Sequence, residues 1–506
     1  MLATVVTCAL VGIDAHPVHV EVDLATGIPH TQTVGLPDTS VRESKDRIRS
    51  ALRNAGFEIP PRRITVNLAP AHLRKEGAAY DLPIALALLA ATGHPLAEHL
   101  GGVAVAGELA LDGSVRAIRG ALAIAAAAQA AGCTKLIVPR ANASEAALVA
   151  DLAVVPTTHL REAVDVLTGV QATEVQPRTL PAFERATAAF DLAEVRGQEY
   201  AKRALEVAAA GGHHLLLVGP PGAGKTMLAR RLTTLLPALA FAEALEATRI
   251  HSAAGLLGDR PMIAERPFRA PHHTVSSAGL FGGGSAVARP GELALAHHGA
   301  LFLDELPEFR RDVLEGLRQP LEDRRVTIAR GAWRVTYPAR LMLIAAMNPC
   351  PCGFHGDPLR GCRCTPNQLA HYRTRISGPL LDRIDLHVEV APVPHRELAR
   401  SHDGESSAAV AARVAAARER QYARLGMGTC NAEMAARDLH AHARPDGAGA
   451  VLIERAMTKL GLSARAYTRI LKVARTIADL AGAEPVSAPH VAEAIHYRAL
   501  DRERRA

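Results

Sequence analysis

Residues 213–236 read HHLLLVGPPGAGKTMLARRLTTLL. An apolar run, Leu215–Val218, leads into glycines and prolines that end at Lys225-Thr226, and a helix-forming stretch follows. This is the strand–loop–helix form of a phosphate-binding loop, made of Gly219, Pro220, Pro221, Gly222, Ala223, Gly224, Lys225 and Thr226. The glycines let the backbone wrap closely enough for its amides to point at phosphate oxygens. Lys225 neutralises the β/γ charge, the Thr226 hydroxyl is placed for a magnesium ion, and the helix N-terminus adds its positive end. ATP with Mg²⁺ is the expected occupant, and α/β the expected fold class.

Two further apolar runs end in polar residues. GALFLDELPEF (299–309) closes on Asp304 and Glu305, one carboxylate for the metal shell and one to polarise an attacking water. RLMLIAAMNP (340–349) closes on Asn348, which also reads as a simple turn former before Pro349. Two arginines follow, Arg383 in SGPLLDRIDLHVEV (377–390) and Arg465 in GLSARAYTRILKVARTIADL (461–480). Taken alone, either could be half of a surface salt bridge.

The 506 residues exceed one core and predict two or three domains. Aromatics make up only 3%, so the cores are expected to be aliphatic and helix-rich. No run is long and apolar enough to span a bilayer, and the start lacks the basic region of a signal peptide; the expected location is cytoplasmic. A net charge of +7 permits a polyanionic partner without requiring one. Residues 1–170 read as an α/β domain. Val18, Val20, Val22 and Leu24 alternate with polar residues as a half-buried strand, Asp38 or Thr39 caps a helix ending at Gly56, and Asp112-Gly113 turns a hairpin. Residues 171–190 read as a linker, 191–395 as a second α/β block, and 396–506 as helices only, the last capped by Ser487.

The order of these elements resembles the AAA+ ATPase pattern. Longer stretches, RPFRAPHHTVSSAGLFGGG (266–284), PGELALAHHGALFLDELPEF (290–309) and AAMNPCPCG (345–353), resemble the ComM/YifB family of magnesium-chelatase-like proteins. That resemblance covers essentially the whole chain and carries several implications. Residues 1–170 would have a Lon-protease-like (ribosomal S5 domain 2-like) fold, with Ala79 and Leu122 where a catalytic serine and lysine would stand, so protease chemistry is not expected. Residues 191–395 would be the ATPase core, with Val195, Gly197 and Gln198 lining the adenine, and 396–506 its helical lid. Asn348 would orient the attacking water, Arg383 would reach a neighbour's γ-phosphate, and Arg465 would report nucleotide state. The family implies a homo-hexameric ring that moves on single-stranded or branched DNA, driving branch migration in homologous recombination or natural transformation, with recombination proteins as further partners. A protein-remodelling chaperone and a chelatase-type metal-insertion motor subunit are the competing functions.

Two other features stand out. RRVTIARGAWRVTYPAR (324–340) reads as a hairpin with its tip at Arg330-Gly331. The resemblance to the chelatase-like and minichromosome-maintenance-like branches implies that such a hairpin projects into the ring pore, where Arg324, Arg325, Arg330 and Arg334 would hold phosphates and Trp333 would stack. The alternative is a solvated hairpin whose tryptophan packs on its own subunit. Cys350, Cys352, Cys362 and Cys364 form two Cys-x-Cys pairs, suited to a structural Zn²⁺; free thiols and a redox switch are the other readings. His272 and His273 lack a cysteine or acid at ligand spacing and read as structural or nucleotide-adjacent.

Overall fold

The protein is described here from a computed structural model that covers residues 2–183, 190–284, 288–330, 333–357, 360–393 and 404–498. Its N-terminal part is built on β1 (Leu2–Val11), β2 (Asp14–Ala25), β3 (His30–Val34), β4 (Arg63–Ala69), β5 (Val103–Val105), the β6–β7 ribbon (Glu108–Leu109 and Val115–Arg116), β8 (Lys135–Pro139) and β9 (Ala153–Thr157). Seven of these strands form one mixed sheet in the order β3-β4-β2-β1-β5-β8-β9. The alternation in β2 turns Val18, Val20, Val22 and Leu24 inward, as the period of two requires. Asp38 caps the helix Thr39–Asn54 by accepting the Val41 amide at 2.8 Å. Asp112-Gly113 turns the β6–β7 ribbon, as expected.

The second sheet is parallel throughout. Its region contains β10 (Leu215–Val218), β11 (Phe268–Arg269), the ribbon β12–β13 (Gly282–Gly283 and Arg289–Pro290), β14 (Ala300–Leu303), the hairpin β15–β16 (Arg325–Arg330 and Trp333–Pro338), β17 (Met342–Met347) and β18 (Leu386–Glu389). The sheet order is β11-β14-β17-β10-β18. β10, β14 and β17 are buried along their whole length because helices cover both faces, which explains why they read as unbroken apolar runs.

From 404 onward the described residues form helices, chiefly Ser407–Leu425, Ala436–His442, Gly447–Leu460, Ala464–Leu480 and Ala488–His496. Their apolar faces are not a separate core. Val410, Val414, Ile470 and Ala474 share one buried cluster with Leu205 and Leu228 of the ATP-loop side of the sheet. Ser487 is the N-cap of the last helix, as expected, and its amide donates to His490 Nδ1 at 3.1 Å, the same nitrogen its hydroxyl meets at 3.1 Å. The boundary expected at 395/396 and part of the expected linker fall outside the described residues.

A buried ion cluster ties the helical region to the parallel sheet. Asp385, fully buried just before β18, accepts from Arg469 Nη1 at 2.5 Å and from the His214 amide at 3.2 Å, and its other buried neighbour is His213 Nδ1 at 3.3 Å. Burial alone would raise the Asp385 pKa, but Arg469 and His213 outweigh it and hold the carboxyl well below the usual range. The N-terminal part is docked as well. Leu122 and Leu148 pack with Ala244, Ala247 and Met262, and Asp14 pairs with Arg249 at 2.6 Å. The β1–β2 turn rests on the β15–β16 hairpin: a Cβ at Gly12, whose φ is +68°, would lie 2.5 Å from Val335 Cγ1. Among the described residues, no helix is long and apolar enough to cross a membrane.

Two outcomes follow from this packing. Gly12→Ala is expected to cost about 1–3 kcal/mol through overpacking and a left-handed backbone. Adding Val335→Ala should recover part of the loss, read as non-additive denaturation midpoints. Arg469→Ala leaves a buried carboxylate without its main partner and is expected to cost about 3–5 kcal/mol. Because the folded Asp385 pKa is depressed, its contribution is present above the unfolded value of about 3.9 and is lost as pH falls through the folded value. An acid titration of unfolding should therefore shift to higher pH in Arg469→Ala.

Candidate functional site

The strand order decides what can meet. β17 lies between β10 and β14, with Val218 opposite Met347 and Leu303 opposite Ala345. The residues that follow these three carboxyl ends therefore share one crevice, and strand spacing puts neighbouring columns about 5 Å apart.

The loop after β10 is shaped by its glycines. A side chain at Gly219 would strike the Val390 carbonyl at 2.2 Å, while Gly222 and Gly224 take left-handed φ values of +81° and +89°. Among the described residues, nothing lies within 4 Å of where a Gly222 Cβ would be, so the loop faces open space. Lys225 begins the helix Lys225–Leu235 and is nearly buried. Its ammonium donates to the carbonyls of Gly219 (2.7 Å) and Pro220 (3.0 Å) and to Asn348 Oδ1 (3.1 Å). Burial lowers its pKa, and the charges of Asp304 and Glu305 oppose that. A buried cation whose hydrogen-bond partners are neutral oxygens is suited to an anion such as a phosphate.

Thr226 Oγ1 donates to Asp304 Oδ2 at 2.7 Å, and the Glu305 amide donates to Asp304 Oδ1 at 2.9 Å. Hydroxyl and carboxylate together form an oxygen donor set for Mg²⁺. Glu305 has φ +51°, and its half-exposed carboxylate lies 3.2 Å from His273 Nδ1. Sequence spacing missed that contact because the two residues come from different elements 32 positions apart.

Gln198 reaches the loop, donating to Ala223 O (3.3 Å) and Ala391 O (2.6 Å), and Gly197 sits beside it at φ +57°. The Val195 side chain is 1% exposed and belongs to the core cluster with Leu192 and Ala201, which leaves its backbone as the part that can border a base. Pro221 is touched from the other side: a Cβ at Gly353 would lie 2.5 Å from its Cδ, so the cysteine loop packs on the phosphate loop.

The two distal arginines differ in setting. Arg383 is buried; its guanidinium pairs with Glu322 at 2.7 Å and donates to Pro379 O at 2.7 Å. Arg465 stands exposed in the first turn of Ala464–Leu480, while Arg469, one turn on, holds Asp385.

The 324–340 segment is a hairpin, as expected, with Val326 and Tyr337 buried and Arg325 and Arg334 exposed, but Arg330, expected at the tip, is itself in the ladder. Arg330 and Trp333 face each other across the last rung. Their side chains, and the whole of Gly331 and Ala332, lie outside the described residues. Arg324 terminates the helix Arg318–Asp323 at φ +55°, and its guanidinium pairs with Glu433 at 3.0 Å, a carboxylate that Arg340 shares.

The four thiols converge. Cys350 Sγ lies 3.3 Å from Cys352 Sγ and 3.8 Å from Cys362 Sγ, and the latter two are 3.6 Å apart. All four ligand atoms fall within 4.8 Å of one another. Amides donate to the sulfurs: His355 N to Cys350, Cys352 N to Cys364, and Cys364 N to Cys362. The amides of Arg363 and Phe354 bring the Cys352 thiol down to about 6. Burial raises Cys350, and Cys364, against the Cys352 amide, is raised by burial with the neighbouring sulfurs, so the thiols share their protons unequally. Clustered sulfurs receiving N–H donors fit a thiolate-bound Zn²⁺.

A second group, Glu246 with His297 and His298, has a different character. His297 Nδ1 accepts the Arg340 amide at 3.0 Å, so its proton sits on Nε2, which donates to Glu246 at 3.0 Å. A protonated nitrogen is no metal ligand.

Comparison with known proteins agrees with this architecture. Residues 191–398 match the family model for magnesium chelatase, subunit ChlI; residues 20–142 match that for subunit ChlI of Mg-chelatase; and residues 404–498 match its C-terminal region. The chain is 46% identical to the uncharacterized protein YifB of Salmonella typhimurium, covering 99% of this chain and 98% of the relative. It is 45% identical to the competence protein ComM of Haemophilus influenzae over the same shares. More distantly, 26% identity over 35% of this chain and 22% of the relative links it to a probable DNA helicase MCM9 of Arabidopsis thaliana. With near-complete coverage at this identity, the chain belongs to the ComM/YifB family of magnesium-chelatase-like proteins.

Proposed function

We propose that this protein is an ATP-driven DNA translocase that works as a homo-hexameric ring on branched or recombining DNA. The observation that carries the reading is the crevice at the ends of β10, β17 and β14, where Lys225, Asn348, Thr226 and Asp304 are joined by hydrogen bonds of 2.7–3.1 Å. In this reading the amides of 219–226 cradle the triphosphate, Lys225 moves from Asn348 and the loop carbonyls onto its oxygens, and Gln198 and Gly197 border the base. Thr226 and Asp304 would hold Mg²⁺, which supplies charge neutralisation at the phosphates. Asn348 orients the attacking water and Glu305 accepts its proton. Arg383 leaves Glu322 to reach the neighbouring protomer's phosphates, and Arg465, exposed at the start of its helix, reports nucleotide state to the helical lid. Competence-related ComM and the partial likeness to a DNA helicase favour DNA as the track. Arg325 and Arg334, exposed on the β15–β16 hairpin, would meet its phosphates, with Arg330 and Trp333 in the hairpin's last rung.

The mixed sheet of residues 2–157 fits a Lon-like domain. It carries Ala79 and Leu122 in place of a nucleophile and base, and Leu122 is buried against the neighbouring helix, so the domain serves docking, not proteolysis. Branch migration during recombination or transformation, in the cytoplasm, is the physiological setting proposed.

ATP turnover in the full-length chain should rise with forked or four-way DNA, and the half-maximal DNA concentration should climb steeply with salt, as phosphate contacts demand. Lys225→Ala should abolish turnover, and Glu305→Gln should lower it by about 10²–10⁴-fold while ATP still binds. No response to any DNA structure, with stimulation by unfolded protein or a porphyrin-binding partner instead, would favour the chaperone or chelatase-motor reading.

We also propose structural Zn²⁺ on Cys350, Cys352, Cys362 and Cys364. Metal analysis should find one zinc per chain, lost in Cys362→Ser. Because Gly353 packs on Pro221 and Asn348 precedes the knuckle by two residues, that variant should also bind ATP more weakly. Full metal-free protein with unchanged ATP affinity would refute the link.

A further inference from the structure

The two edges of the N-terminal sheet differ. At one, the chain beyond residue 170 returns to β9, where the Gln176 amide donates to the Val154 carbonyl at 2.8 Å. At the other stands β3, which pairs with β4 alone. Among the described residues, no strand meets the N–H and C=O groups of His30–Val34 that face away from β4. An edge left in this state is a template for another extended chain.

The ends of β3 are apolar where a plain surface would be polar. Ile28, just before the strand, is 87% exposed, and Leu36, just after it, is 55% exposed. Leu36 also has a left-handed backbone, φ +56°, a conformation that favours glycine or asparagine. Neither packing nor backbone preference accounts for a leucine turned outward there.

Beside the strand a cleft opens between the sheet and its helices. It is lined by Thr31 and Thr33 of β3, Ile64 of β4, and Ile84 and Leu88 of the helix Asp81–Ala91. The helix Thr39–Asn54 adds Lys45 and Arg49 to the lining and no carboxylate. Arg42, Lys45, Arg49 and Arg53 recur at helical spacing and share one exposed face. Arg47 pairs with Asp81 at 2.9 Å, but among the described residues none of those four has a carboxylate within ion-pairing distance.

We propose that the β3 edge is the docking site for an extended segment of a partner protein, added to the sheet as a further strand. On the side turned to the helices its residues are aliphatic, to enter the cleft, and acidic, to meet Lys45 and Arg49. Backbone bonds to β3 hold any extended chain, and the cleft with its cationic rim selects this one. Charge also decides between occupants. A second copy would set one cationic helix against another, and a nucleic acid would leave Ile28, Leu36 and the cleft unused. The inference goes beyond the translocase reading and does not depend on it.

The test uses the full-length chain and a fluorescein-labelled ten-residue peptide in which threonine alternates with valine and glutamate. A control peptide carries lysine in place of glutamate. Fluorescence anisotropy should show saturable binding of the acidic peptide that weakens with salt, and at least about 10-fold weaker binding of the control. Lys45→Glu combined with Arg49→Glu should reverse that preference while ATP turnover stays unchanged, since both residues are exposed and lie outside the nucleotide crevice. Amide hydrogen exchange across residues 28–36 should slow when the acidic peptide is bound, the mark of a strand added at β3. Absence of saturable binding, an affinity indifferent to the double reversal, or binding with unchanged exchange across 28–36 would each overturn the proposal. So would a chain that ignores the peptide while its DNA affinity or its self-association falls in the double variant. The occupant would then be a nucleic acid or a second copy.

Discussion

The insertion of β17 between β10 and β14 is the constraint on which the rest depends. It brings to the same end of one sheet three segments whose bonded residues lie 78 positions apart (Thr226 and Asp304) and 123 apart (Lys225 and Asn348). The contacts of Lys225 with Asn348 and of Thr226 with Asp304 are direct consequences of that order and of its register. Strands buried on both faces cannot shift register without exposing apolar surface or stranding backbone groups, so the polar residues just past their ends are held to within a fraction of a strand spacing. A crevice assembled in this way needs no dedicated scaffold beyond the sheet itself.

Around it, polar residues link the parts. Asp385 with Arg469 and His213 joins the sheet to the helical region, and Glu433 gathers Arg324 and Arg340 on the same side. Buried ion pairs of this kind add less to stability than well-packed apolar residues would, but they hold the elements in one relative placement. The helical region is thus fastened to the sheet by both charge and its share of the common apolar cluster. On the other flank, the glycine-tight contacts at Gly12 and Gly282 bring the N-terminal sheet and the β12–β13 ribbon against the hairpin. The hairpin is therefore seated between two elements.

Much of this was legible along the chain. The phosphate loop, the two apolar strands ending in Asp304-Glu305 and Asn348, the cap at Asp38 and the hairpin at 324–340 all follow from local rules of periodicity, capping and turn chemistry. What was not legible is the consequence of tertiary geometry. Arg324 reads as part of a basic run, but its guanidinium pairs with Glu433, over a hundred positions away. Val195 stands next to Arg196 and Gly197 in a stretch that borders the loop, yet the core takes its side chain. His273 drew notice only as half of a histidine pair, since its partner Glu305 lies beyond any ligand spacing. Strand order itself, the constraint that matters most, leaves no local trace in the sequence.

The account holds that energy is released at a boundary between protomers, with Glu305 of one chain and Arg383 of the next acting on the same nucleotide. Mixing two inactive chains tests this most directly: Glu305→Gln and Arg383→Ala, combined in equal amounts and allowed to exchange. Turnover should reappear in the mixture, because some boundaries then pair an intact Glu305 with an intact Arg383. A mixture as inactive as its components, or an Arg383→Ala chain that hydrolyses ATP normally by itself, would contradict the account.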